Sequence, residues 1–333
     1  MTTTISRRTL LAATAAGAFV AATRASFAQD KPTIRMSGPM TPTDQRAVAL
    51  TDIFGPAIAG FATFEPHWNA TLFKQGTELA AIARGNLDMS VTSAQELAQI
   101  IPDWSIFTAG YLLKDAAHQV KVFNAPFMDA MKKGVEDKLG VKLLSVMYLG
   151  RRQLNLRQSR AQLDVKTPDD LKGMKLRMPG TEAWQFLGSA LGANPVPVAF
   201  TEVYTALQTG AIDGQDNPLP TDKDSKFYEV TKQICMTSHL CDQNYIAFSK
   251  KLWDKLSPAD QATLQKAADD ASDSARQAQL KLESDLAQFF KDQGLDVYEP
   301  DVDAFRKHVQ AAYLSSDFSK SWPKGMVDQV NAL

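Results

Sequence analysis

From Ser257 to Gln293 the chain carries one unbroken helical pattern, and its length constrains the fold more than any other stretch. Ser257 is placed to cap it. Pro258 stands at the first helical position, where a missing N–H costs nothing, and Gly294 stops it. Leu264, Ala268, Ala271, Ala275, Ala278, Leu282, Leu286 and Phe289 keep an apolar stripe at helical spacing. At 1.5 Å per residue such a helix spans about 50 Å, more than a small domain is wide. It has to run past more than one packed body, as a structural spine.

Upstream, the pattern alternates. Strand Thr33 to Ser37, helix Gln45 to Ala59, strand Phe61 to Trp68, a helix from Glu78 ending near Gly85, and strand Leu87 to Thr92 make a β-α-β-α-β start. This implies a sheet with helical crossovers. Helical stretches fill most of Ala94 to Leu149, ending in a strand over Lys142 to Tyr148. A second α/β unit follows. Thr167 caps a short helix with Pro168 at its first position. Lys175 to Met178 is a strand, Glu182 to Leu191 a helix and Pro195 to Val198 a strand. Thr201 to Thr209 is a helix closing on Gly210, Ala211 to Gln215 another strand end, and Asp213 to Pro218 lead into a Gly-Asn-Pro-rich turn. Apolar alternation over Thr231 to Phe248 returns the chain to the first unit. The fold expected is α/β, with two lobes, a cleft between them and the long helix across both. Lobe I takes 31–150 and about 243–282; lobe II takes 151–242 and about 283–333. Ligands favour such clefts.

The first 28 residues read as an export signal. Arg7 and Arg8 precede an apolar run from Leu10 to Ala22, and Ser26-Phe27-Ala28 offers small residues at a cleavage site. Ser6 to Leu11 fits the twin-arginine type, with an ordinary secretion signal as the alternative. Cleavage after about Ala28 removes three arginines and no acids, taking the net charge from −1 to −4. A mildly acidic exported chain fits a bacterial periplasm and gives no reason to expect nucleic acid as a partner. Cys235 and Cys241 are six residues apart, about 20 Å on a straight strand. A disulfide needs a turn at Thr237 to His239; otherwise the two are separate buried thiols.

No catalytic or nucleotide-binding motif is present, and His67, His118, His239 and His308 are scattered without metal-ligand spacing. Arginine is the better lead, because its planar fork pairs both oxygens of a carboxylate. Arg177 has apolar strand neighbours, so burial calls for an anion, either a structural acid or a ligand. Between Gly150 and Arg160 stand Arg151, Arg152, Arg157 and Arg160. Alternation sets Arg152 with Leu154 and Leu156, which again asks for an anion.

Asp170 to Arg177 (DLKGMKLR) and Gly192 to Pro218, with KFYEV at Lys226 to Val230 and the long helix, resemble the periplasmic solute-binding proteins of tripartite ATP-independent periplasmic (TRAP) transporters, the DctP-like family. The resemblance implies a closed cleft holding an organic acid. It implies Arg177 as the carboxylate-binding arginine, Arg152 as a second arginine, Asn217 as an asparagine contact and Phe200 as a pocket aromatic. A polar or acidic contact is implied near Glu78. The spacing from Arg152 to Arg177 is longer than usual, so Arg157 competes for the second role. Glu78, Gln75, Thr43, Asp44 and Gln215 suit a hydroxylated acid such as a hexuronate, with a C4-dicarboxylate or 2-oxo acid as the alternative. The implied partners are the acid and the two membrane subunits. A monomer is expected, with no cofactor and no metal. A ligand-sensing receptor is the second reading, and a secreted enzyme, with only Glu78 and Asp216 to offer, the third.

Overall fold

The long helix is present as read, Pro258–Asp292, capped by the Ser257 hydroxyl, which accepts the Asp260 N–H. These details come from a computed structural model describing residues 31–333, so the export-signal reading lies outside the described residues. Thr33–Leu333 make one compact unit. Leu264, Ala267, Ala268, Ala271 and Ala275 of the helix enter one hydrophobic core, while Leu286 and Phe290 enter another. One helix thus packs into two hydrophobic cores of that unit. Phe290 rather than Phe289 takes the fully buried place near its end.

The strands are β1 (Thr33–Ser37), β2 (Thr63–His67), β3 (Met89–Ser93), β4 (Val141–Leu156), β5 (Lys175–Met178), β6 (Asn194–Pro197), β7 (Gly214–Pro218), β8 (Gln233–Ser249) and β9 (Asp296–Tyr298). Among the described residues they form one sheet, ordered β2-β1-β3-β8-β4-β7-β5-β6, with β9 added to β8. β1, β2 and β3 pair in parallel at one end, as do β7, β5 and β6 at the other. The antiparallel pair β4–β8 joins the two ends.

Two differences from the sequence reading lie in and beside that pair. β4 runs on through the arginine-rich stretch to Leu156, because its polar side chains find buried partners. The segment read as a turn at Asp213 to Pro218 is strand β7, fully buried between β4 and β5. Where a turn was considered at Thr237 to His239, Ser238 adopts φ 48° within a bulge of β8, and of the two alternatives read for the cysteines the structure has the separate one, Cys235 and Cys241 being free, buried thiols.

Two local features hold the centre. Gly150 adopts φ 127°, and a Cβ there would sit 2.6 Å from both Glu283 Oε1 and Pro218 Cβ. Only glycine allows that approach. The long helix is stapled to β4 here: Glu283 accepts from Tyr148 Oη and the Arg151 N–H, each at 2.6 Å, and Gln279 donates to Leu149 O. The first helix carries a π turn over Leu50–Phe54, where the Gly55 N–H reaches back to Leu50 O. Pro56, lacking an N–H, follows directly.

Candidate functional site

A cavity of about 60 Å³ lies where the two ends of the sheet face each other across β4 and β8. From the far end, β5 supplies Arg177, β7 supplies Asn217 and the loop after β6 supplies Phe200. From the near end come Arg46, Gln75 and Glu96. The hydrophobic residues flanking Arg177 on β5 place its strand in the core; its side chain reaches out of that core to the cavity wall.

Arg177 is 1% exposed. Its Nε donates to Val198 O at 2.8 Å, and its guanidinium carbon stands 5.9 Å from the Phe200 ring centre. Its Nη2 is buried with no hydrogen-bond partner. Burial pushes its pKa down to about 9, against a weak opposing pull from Asp216. No acid lies within ion-pair distance of it among the described residues, so this guanidinium lacks a counter-anion.

Arg152 is equally buried and fully matched. Nε and Nη2 donate to Asp216 Oδ2 and Oδ1 at 2.6 and 3.0 Å, and Nη1 donates to Asp242 Oδ2 at 2.7 Å. Its guanidinium carbon lies 4.5 Å from the Trp184 ring centre. His239 Nε2 adds to Asp216 at 3.0 Å. Burial opposes ionisation of both partners, but the two acids outweigh it and raise Arg152. Likewise the Arg152 charge and the His239 bond hold Asp216 well below the usual carboxylate range. The anion that Arg152 required is internal. Arg46 is also matched, with Asp44 at 2.7 Å and a further donation to Asn244 Oδ1. Arg177 is therefore the one arginine lining the cavity without an acid, among the described residues.

Gln75, Phe200, Asn217, Arg152 and Arg177 are brought together as expected. Two expected residues are not. Arg157 follows the end of β4, and its guanidinium lies against Gly210, 3.1 Å from where a Cβ would stand. It is five residues along from Arg152, roughly 17 Å on a strand. Glu78 opens helix Glu78–Ala83, buried, and does not line the cavity. Burial, then the charge of Glu96, pushes it up to about 8. Of the two acids on the cavity wall, Asp242 is held by Arg152, and Glu96, also raised by burial, accepts from Thr92 Oγ1 and the Ser93 N–H, each at 2.9 Å. Sequence reasoning missed Glu96, Arg46, Asp242 and Asn244. Ser93-x-x-Glu96 is a capping box, a spacing visible in the sequence. The other three carried no local signal.

Two sets of contacts join the near end of the sheet to the far end. The Phe200 N–H donates to Gln75 Oε1 at 3.3 Å. Thr41 and Thr43, in the loop after β1, both donate to Asp224 at the end of helix Leu219–Asp224.

Residues 36–319 match the family model for bacterial extracellular solute-binding proteins, family 7 (DctP). A TRAP periplasmic solute-binding protein of Roseobacter denitrificans, solved with bound 3-deoxy-D-manno-oct-2-ulosonic acid (KDO), is 61% identical. It superposes with a TM-score of 0.90 over 91% of this chain and 99% of that one. A second from the same organism, with bound L-galactonate, is 26% identical with a TM-score of 0.81, over 91% and 98%. The sialic acid-binding periplasmic protein SiaP of Vibrio cholerae is 33% identical over 74% of this chain and 75% of its own length. With a two-lobe α/β fold shared across its length and a cleft built around an unmatched arginine, this chain belongs to the family 7 extracellular solute-binding proteins, the receptors of TRAP transporters.

Proposed function

We propose that this chain is the periplasmic receptor of a TRAP transporter for an eight-carbon ulosonic acid of the KDO type. The observation that carries the reading is Arg177, a buried guanidinium with an unpartnered Nη2 on the cavity wall. A buried charge without a partner costs several kcal/mol, and a cargo carboxylate removes that cost on binding. One unmatched cation suits one carboxylate. Glu96 on the opposite wall disfavours a second carboxylate and favours hydroxyls that donate to it. KDO meets both demands, being a sugar acid by its hydroxyls and a 2-oxo acid at C2, and the 61% identical relative binds it. A hexuronate is the second reading, on the same two residues.

Binding, not catalysis, is what these groups can do: the acids at the cavity are tied to arginines or capping amides, and no nucleophile is positioned. The two ends of the sheet act as lobes that close on the cargo about the middle of β4 and β8, with export to the periplasm and delivery to the membrane subunits as a monomer. Calorimetry against KDO, D-galacturonate, L-galactonate, succinate and pyruvate tests this. KDO is expected to bind tightest, and at about 100 times its Kd to add roughly 2.7 kcal/mol of stability. Succinate binding more tightly than any sugar acid overturns the reading.

A further inference from the structure

Below Asn217 lies a run of buried carboxamides that the arginine chemistry does not use. Asn217 Nδ2 donates to Gln215 Oε1 at 2.6 Å. Gln215 Nε2 donates to Asp222 Oδ1 at 2.7 Å and to Asn155 Oδ1 at 3.3 Å. Asn155 Nδ2 donates to Thr231 Oγ1 at 2.8 Å and Gln233 O at 3.3 Å, and Thr231 spends its own proton on Phe227 O at 2.9 Å. Asn155, Gln215 and Asp222 are wholly buried, and Asn217 is 4% exposed.

A lone carboxamide can flip, exchanging donor for acceptor. This series cannot. It ends on two backbone carbonyls, Gln233 O and Phe227 O, which only accept. They oblige Asn155 to turn Nδ2 toward them and Oδ1 toward Gln215. Gln215 must then offer Nε2 to Asn155 and Asp222, and Oε1 to Asn217. Asn217 is left with its Nδ2 committed on one side, so the sense of the amide it presents to the cavity is set more than one strand away.

We infer that Gln215 and Asn155 are positioning residues that fix the amide sense of Asn217, and through it the polar register in which the cleft receives its acid. This rests on the reading of Asn217 as a cargo contact.

The test is a double-mutant cycle in the full mature chain with KDO as probe. Gln215→Met keeps the side-chain volume and is expected to weaken binding about tenfold, the worth of one hydrogen bond to a charged group. In an Asn217→Ala background the same change is expected to alter Kd less than about twofold, since the effect passes through Asn217. Additive losses overturn the inference. A ligand-free reading stands beside it: the Asn217 side-chain amide protons, observed by NMR, are expected to be protected from solvent exchange and to lose that protection in Asn155→Ala and Gln215→Met. Unchanged protection in folded variants also overturns it. Failure of KDO to bind the unaltered protein refutes the cargo reading instead, and the relay is then judged by amide exchange.

Discussion

Arg152 and Arg177 sit on neighbouring parts of one sheet, both buried, both lining the same cavity, and the difference lies in their partners. Arg152 is held by Asp216, Asp242 and the face of Trp184. Arg177 has one backbone carbonyl and an aromatic ring. Burial penalises both charges alike. The first belongs to the architecture that holds β4, β7 and β8 together. The second has no acid beside it among the described residues and, on the proposed function, is matched only by the cargo. Sequence marks both as buried and in need of an anion; only the acids placed around them show which one is matched inside the protein.

The sharpest way to break this contrast is to remove each guanidinium. Arg152→Met leaves Asp216 and Asp242 buried without their cation and is expected to cost about 3–5 kcal/mol of ligand-free stability, read by chemical denaturation. Arg177→Met is expected to leave ligand-free stability unchanged or higher, because it removes an uncompensated charge. It should nonetheless weaken acid binding by at least about two decades, within the 2–5 kcal/mol range of a truncated buried charge pair. Equal destabilisation by the two substitutions would erase the distinction.

Why was one arginine legible and the other not? Arg177 stands in a short apolar strand within a recognisable motif, so its burial could be read locally, while its proposed role came from the family resemblance. The acids that match Arg152 lie 64 and 90 residues away. Nothing in Gly150 to Arg160 announces them. The same reason explains β7. Gln215, Asp216 and Asn217 read as a polar turn because their partners, Asn155, Asp222, Arg152 and His239, come from three other elements. The long helix, by contrast, carries its cap, stripe and stop within itself. Glu78 was legible as an acid of the right region, but which acid faces the cavity depends on the direction of a helix N-terminus.

The buried acid next to the cavity sharpens the comparison with smaller effects. Glu78 has its folded pKa raised to about 8, so the folded state binds the proton more tightly than the unfolded chain. Its contribution is present in full below the ordinary carboxylate pKa and is lost as pH rises toward 8. Stability is expected to fall over that window by at most about 1.4 kcal/mol per pH unit, and Glu78→Gln is expected to flatten the slope, measured by denaturation from pH 5 to 8. An unchanged slope would move the titration to another group. Smallest is the contact between the loop after β1 and helix Leu219–Asp224. Asp224→Ala removes the acceptor for Thr41 and Thr43. It is expected to speed cargo release several-fold, about 1 kcal/mol, with association little changed, as stopped-flow fluorescence can show.

The pair β4–β8 has a mechanical consequence. Because both strands pass through the middle without a break, no linker separates the two ends of the sheet. Any opening of the cleft has to bend and twist two hydrogen-bonded strands, with the long helix fastened across the bend by Glu283 and Gln279. In the proposed closure the molecule would work as a leaf spring, the whole central ribbon sharing the deformation and its stiffness setting the restoring force. Neither end can be cut free as a domain, since each takes its inner strand from chain that also belongs to the other.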